Sequence, residues 1–309
     1  MTGRRRSILS VPGSSIKMLE KAKKLDMDSV LLDLEDSVTP SMKAGARANV
    51  ISTLNSGGLA GKIRSVRVND WTSAWTYQDV VQLVEQAGAS LDTIVLPKVE
   101  NTEHICALDL LLTQIEKSFG LEIGKIGIDA QIESALGLTR VEKIAQSSKR
   151  MKSLIFGPAD FMADIKMKSL AVGEQPTGYE NGDAYHFAHM KILVAARAYG
   201  IQAIDGPYLN LHDAQFLRKL AVRARALGFD GKWVIHPNQI TTVNEVFSGN
   251  KDEYEKATAI MEAYKFHSSA EGGNKGAANL DDAMIDEASR KMALVFLAER
   301  QEITNDAKK

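Results

Sequence analysis

SLIFGPADF, Ser153 to Phe161, is a short apolar run that ends in one carboxylate, Asp160, and IDAQIES, Ile128 to Ser134, repeats the arrangement with Glu133. Each reads as a buried parallel strand running into a loop. In a parallel α/β barrel, consecutive strand ends lie side by side on the face where βα loops build active sites, so Glu133 and Asp160 would converge there. Two hard oxygen ligands on a rigid rim suit Mg2+. The alternative is that each acid caps the next helix, as Asp160 would by preceding FMADI.

Working outward, eight such apolar runs recur, each followed by a helical pattern. They are Ser7–Val11, Ser29–Leu34, Ser65–Asn69, Thr93–Val99, Ile126–Ile132, Ser153–Gly157, Ile201–Asp205 and Lys232–His236. Strand and helix in alternation mean parallel βα units, and eight of them predict an α/β fold of the TIM (β/α)8 type. Among the intervening helices, Leu136–Ser147 is read as continuous, and Cys106 in HICALDLLL as a small core residue of another. Met167–Asp183, rich in Gly, is long for a βα loop and reads as a lid or an excursion. The barrel is placed in residues 1–250. Residues 251–309 follow as a helix, a Gly-rich joint and a last helix over 281–301, an arm suited to packing on a neighbouring subunit.

Bulk properties narrow the classes. The 309 residues are 44% hydrophobic and 25% charged, as in globular proteins, and the formal charge of -1 supplies no basic field for nucleic acid or an anionic membrane. One cysteine rules out an intramolecular disulfide framework, and no apolar run approaches the roughly 20 residues of a membrane span. MTGRRRSILSVPG reads as mature protein rather than a signal peptide, so a cytoplasmic location is expected.

The strand ends carry the reactive groups. Val11-Pro12-Gly13-Ser14 forms a tight turn whose backbone N–H groups suit a phosphate. Asp33, Glu35 and Asp36 put three acids in four residues, which is unfavourable unless they face a metal, its waters or an arginine; Asp36 could also act as a cap. In SVRVN the period of two turns Arg67 inward, where a guanidinium needs a carboxylate or an anionic ligand. Lys98, Asp205 and His236 stand at the ends of the fourth, seventh and eighth strands, with His236 read as a structural hydrogen bonder. GxGxxG after the first strand, a Walker loop, HExxH and GxSxG are all absent.

RSILSVPGS, DLEDSV, RVN, VLPKVE, IESALGL, FGPADF, AIDGPY and GKWVIHPNQI, taken together and in order, resemble the CitE-like acyl-CoA lyases of the HpcH/HpaI aldolase/citrate lyase superfamily. These include malyl-CoA, β-methylmalyl-CoA and citramalyl-CoA lyases and the citrate lyase β subunit. The resemblance runs from about Arg6 to about Gln301. It implies a TIM barrel with a C-terminal helical lid, assembled as a homotrimer or homohexamer. It also implies Mg2+, with Mn2+ as a substitute, on Glu133 and Asp160, and coenzyme A as part of the substrate. By the same resemblance Arg67 binds the 2-oxo acid and Asp286 of AMID is the acid that reaches a neighbouring subunit's site, while Glu35 and Asp36 are read from their own chemistry as holding metal-bound waters. Lys21 matches a family CoA-contacting position, whereas Ser15 stands where malyl-CoA lyases carry arginine.

The reaction implied is reversible cleavage of a 3-hydroxyacyl-CoA into an acyl-CoA and glyoxylate or pyruvate. The wording of the chain leans toward the malyl-CoA and β-methylmalyl-CoA lyases. A malyl-CoA thioesterase on the same site, a citrate lyase β subunit, and a carrier-docking scaffold with a vestigial site are the alternatives. The β subunit is disfavoured because the lid is kept, and the scaffold because Arg67, Glu133 and Asp160 are all present. A CoA-independent aldolase of the HpcH type relies on an earlier histidine, and none precedes His104.

Overall fold

Strands of alternating inward and outward residues, each too apolar to leave either face in water, close on one another in chain order. The computed structural model describes residues 3–179 and 181–306. It shows β1 (Ser7–Pro12), β2 (Ser29–Asp33), β3 (Ile63–Arg67), β4 (Thr93–Leu96), β5 (Gly127–Ile132), β6 (Met151–Phe156), β7 (Gln202–Asp205) and β8 (Gly231–Val234). All pair in parallel with their neighbours in sequence, and β1 closes the barrel against β8 with Ser7 opposite Lys232. This is the (β/α)8 barrel expected.

Helices cover the outside: α1 (Ile16–Ala22), α2 (Lys43–Asn55), α3 (Thr76–Ala87), α4 (Thr102–Ser118), α5 (Ala135–Thr139), α6 (Val141–Ala145), α7 (Pro158–Asp164), α8 (His186–Ala198), α9 (Ala214–Leu227) and α10 (Pro237–Val246). The expected single helix over 136–147 is two, meeting at Arg140 with φ -105° and ψ 6°. The Thr139 hydroxyl just before the joint donates to the Leu136 carbonyl at 2.8 Å and competes for the helical ladder. Cys106 is exposed rather than in the core, because α4 turns Ile105, Leu108, Leu112 and Ile115 inward.

The barrel interior is layered. Ile8, Leu31, Val95, Ile155, Ile204 and Trp233 form its apolar middle. Toward the N-terminal ends of the strands lies a buried polar floor. Arg5 donates to Asp129 at 2.8 Å, and Ser153 and Thr93 donate to the same carboxylate at 2.7 and 2.6 Å. Both charged groups are out of water, so Arg5→Met, which strands Asp129, is expected to destabilise the fold by ~3–5 kcal/mol, checked by denaturant unfolding.

The alternation that puts Ile204 and Trp233 inside sends Asp205 and Lys232 to the outer face, where they pair at 2.6 Å and His189 of α8 adds its Nε2 at 3.0 Å. Asp205 therefore binds helix to sheet and does not stand in the mouth with the other strand-end groups. Burial opposes its ionisation, but Lys232 and His189 together outweigh burial and hold its carboxyl well below the usual range.

The chain divides into two compact units, residues 1–244 and 245–309. In the second, α11 (Lys251–Ser268) and α12 (Glu287–Asp306) are joined through an antiparallel hairpin, β9 (Ala277–Leu280) and β10 (Ala283–Asp286). A helix beginning at Asp281 is thus corrected to a strand pair. Asp281 takes the left-handed conformation, φ 51°, that a tight turn demands and Asp tolerates. The helix starts only after Asp286, whose Oδ1 accepts the Ser289 N–H at 3.0 Å as an N-cap. Among the described residues no helix is long and apolar enough to cross a membrane.

Candidate active site

Three inward positions at the C-terminal strand ends are charged: Asp33 of β2, Arg67 of β3 and, just past β5, Glu133. Arg67, the last residue of β3, lies opposite Asp33 of β2 and donates to it through two nitrogens, at 2.7 and 2.8 Å. Its third nitrogen reaches Glu35 at 2.9 Å and approaches Asp36 at 3.8 Å. The guanidinium also stacks 5.1 Å from the Trp233 ring. Two of the three acids clustered after β2 are therefore partners of an arginine, and Asp33 is its main anchor. Burial works to raise the Asp33 carboxyl, but Arg67 wins and holds it below the usual carboxylate range. Burial prevails at Glu35, which is raised despite Arg67 and Lys98.

Lys98 joins these elements. It follows β4 with a left-handed backbone, φ 51°, uncommon for a residue with a side chain and typical of strained functional positions. That conformation lets its N–H donate to Glu133 Oε1 at 2.7 Å while its ammonium donates to Glu35 at 2.6 Å and lies 3.6 Å from Asp36. Burial opposes the charge on Lys98, but Glu35 prevails and keeps the ammonium above the usual lysine range. Lys43, from α2, donates to the carbonyl oxygens of Leu34 and Glu35, both at 2.8 Å, and so pins the loop that carries the acids.

Glu133 follows β5 and is 3% exposed. Burial and the neighbouring Asp160 carboxylate push its carboxyl up to about 8, against the pull of Arg67. Asp160 sits in the first turn of α7, whose N-cap is Gly157; it is inside the helix and is not the cap. An acid there is favoured by the helix dipole while its carboxylate stays available.

Five carboxylates, Asp33, Glu35, Asp36, Glu133 and Asp160, thus share this rim with three cationic side chains, Arg67, Lys98 and Lys43. With all five ionised the set carries two excess negative charges, which fit a divalent cation, and an all-oxygen donor set fits Mg2+ or Mn2+. Among the described residues no three His, Cys, Asp or Glu side chains are grouped so as to hold a metal ion on their own.

The structure therefore brings Arg67, Glu35, Asp36, Glu133 and Asp160 together. Pro12, Gly13 and Ser14 form the turn that joins β1 to α1. The Gly13 N–H donates to Asp33 O at 2.8 Å and the Ser15 N–H to Pro12 O at 3.1 Å, so two of the turn's donors are engaged internally. A Cβ on Gly13 would lie 2.9 Å from Asp33 O, so glycine here serves close packing of the turn on β2. Lys21 is exposed on α1, and Asp286 belongs to the second unit, where it caps α12. Sequence reasoning passed over Gln131, Lys43 and Trp233. Strand parity could have found Gln131, since it shares a face with Glu133. Ser134 of IES, by contrast, is a plain cap of α5, accepting the Gly137 N–H at 3.0 Å.

Residues 6–237 match the model of the HpcH/HpaI aldolase/citrate lyase family. The chain belongs to that family. It is similar to an L-malyl-CoA/β-methylmalyl-CoA lyase of Cereibacter sphaeroides, 37% identical over 95% of this chain and 93% of the relative. It is also similar to a citrate lyase subunit β of Haemophilus influenzae, 36% identical over 91% of this chain and 92% of the other. Among solved structures, the citrate lyase β subunit of M. tuberculosis complexed with oxaloacetate and magnesium superposes with a TM-score of 0.65 at 26% identity, covering 79% of this chain and 97% of that one. As a member of this family the chain is a lyase, and its matched segment carries Arg67, Glu133 and Asp160.

Proposed function

We propose that the protein is a Mg2+-dependent lyase that reversibly cleaves a 3-hydroxyacyl-CoA into an acyl-CoA and a 2-oxo acid, with malyl-CoA or β-methylmalyl-CoA and glyoxylate as the leading substrates. The observation that carries this reading is the Glu133–Asp160 pair on an acid-rich rim beside Arg67. The malyl-CoA lyase relatives and the magnesium and oxaloacetate complex of the M. tuberculosis structure support it.

Glu133 and Asp160 would hold the cation, which would supply Lewis-acid stabilisation of negative charge on the 2-oxo acid oxygens. Arg67 is a preorganised donor to those oxygens, held in place by Asp33 rather than by the substrate. Lys98 keeps Glu35 paired when Arg67 turns a nitrogen to substrate, and Glu35 and Asp36 orient water at the rim. In the cleavage direction the hydroxyl proton passes to a water at the rim, the bond between the hydroxyl-bearing carbon and the α-carbon breaks, and its electron pair moves into an acyl-CoA enolate. One proton at the α-carbon completes the balance, and Asp286 donates it from the extension of a neighbouring subunit in a trimer or hexamer. Met284, Met292 and Val295, all exposed on that extension, support such packing.

The test is to incubate pure protein with Mg2+ and acetyl-CoA or propionyl-CoA, with glyoxylate or pyruvate in separate tubes, and to separate the CoA species. A hydroxyacyl-CoA that forms only without EDTA is expected, and the tube in which it forms names the 2-oxo acid. Free CoA without a condensed product would instead indicate thioester hydrolysis, and no change in any tube would exclude these substrates.

A further inference from the structure

We infer that Gln131 is a positioning residue of the cation site, holding Glu133 through its amide nitrogen and offering its carbonyl oxygen to a hydrogen-bond donor that would enter with the cation. The inference rests on the Glu133–Asp160 reading above. Gln131 lies on β5 two residues before Glu133, on the same inward face, and is 4% exposed. Its Nε2 donates to Glu133 Oε2 at 2.5 Å, and the Lys98 N–H donates to Oε1 of the same carboxylate at 2.7 Å. Each Glu133 oxygen so has one protein donor and one lone pair left. The carboxylate's orientation is fixed from both sides without closing it to a ligand.

The other end of the amide points to that ligand's hydrogen. Ionised, as it must be to hold a cation, Glu133 only accepts, so Gln131 turns its NH2 toward it, and its Oε1 is left buried with no protein partner. Buried acceptors without partners are rare in folded proteins. Beside a group of carboxylates, a water whose acidity is raised by a cation is a fitting donor. Gly157 shows how closely the pair is built in. A Cβ there would fall 2.5 Å from both Glu133 Cβ and Oε2, and 3.0 Å from Gln131 Nε2. Only a residue without a side chain lets the Gln131–Glu133 pair lie against the end of β6.

The experiment is Mn2+ titration of the metal-free full chain, read from the EPR signal of free Mn2+, for the wild type, Gln131→Met and Gly157→Ala, with thermal unfolding of each. Gln131→Met keeps the volume and removes donor and acceptor, and Mn2+ affinity is expected to fall by about 10–100-fold. Gly157→Ala, which displaces the same pair from the other side, should lower it too. If Gln131→Met is folded and binds Mn2+ as tightly as the wild type, the inference is overturned and the cation reading stands. If Gln131→Met fails to fold, Gln131→Leu, which likewise removes donor and acceptor, is titrated in its place, and an unchanged Mn2+ constant there overturns the inference equally. A wild type that binds no Mn2+ removes the cation reading, and the inference goes with it.

Discussion

Glu133→Gln is expected to lower metal-dependent turnover by about 10³-fold or more while leaving the barrel folded. Lewis-acid stabilisation contributes several kcal/mol, and each ~1.4 kcal/mol is a factor of ten in rate. An amide at position 133 keeps the shape of the side chain but is a poor ligand for a hard cation. The fold should tolerate it, because the ionised carboxylate is itself a burden without a cation. Burial and Asp160 push the Glu133 carboxyl up to about 8, above its ordinary 4.5. A carboxyl raised on folding favours the native state when protonated. Metal-free wild type should therefore lose stability as pH rises from about 4.5 through about 8, and Glu133→Gln should lose less over the same window. Mg2+ should restore the wild type most at the alkaline end and the variant hardly at all. Thermal unfolding at pH 6 and 8, with Mg2+ and with EDTA, checks this. A Glu133→Gln protein with wild-type turnover would exclude Glu133 as a ligand.

Arg67→Met should fail in both respects. Arg67 is the principal partner of Asp33 and shares Glu35 with Lys98, and both carboxylates are buried. Removing the cation from a buried pair leaves uncompensated charge, a loss of ~3–5 kcal/mol in unfolding free energy. Turnover should fall by about 10²–10³-fold from the lost donor alone. Arg67→Lys separates the two effects. It keeps a charge near Asp33, so much of the stability should return, but an ammonium cannot donate bidentately to Asp33 and still present a fixed nitrogen to substrate. Denaturant midpoints and kcat/KM of the two variants, measured together, give the comparison. If Arg67→Lys kept full activity, charge rather than the planar fork would be what the site requires.

Arg67 also shows how far local pattern reaches. That it points inward follows from the alternation of SVRVN. That it is held by Asp33, one strand away, follows from the register of β2 on β3, which aligns Asp33 with Arg67. Lys98 is similar. Its place after an apolar run is visible in the chain, but its left-handed backbone, which carries its N–H to Glu133 and its ammonium to Glu35, arises from the packing of the loop. In IDAQIES the acid at 133 stands out, yet Asp129 and Gln131 share its face, one bound to Arg5 at the barrel floor and the other to Glu133 itself.

Where the expectations moved, the cause was non-local or a single turn residue. Asp205 faces outward because strand parity at β7 is set by Ile204 filling the barrel. Asp281 turns the supposed helix start into a hairpin, and Cys106 lies on the outer face of α4 because Ile105 takes the inner one. Hydrophobic period and strand-end chemistry are properties of neighbouring residues, so the chain alone was enough for eight βα units, the barrel, and the acids and arginine on its rim. Ion-pair partners, the burial that raises Glu133, and the supporting place of Gln131 depend on side chains brought together across strands. Only closure of the barrel decided those.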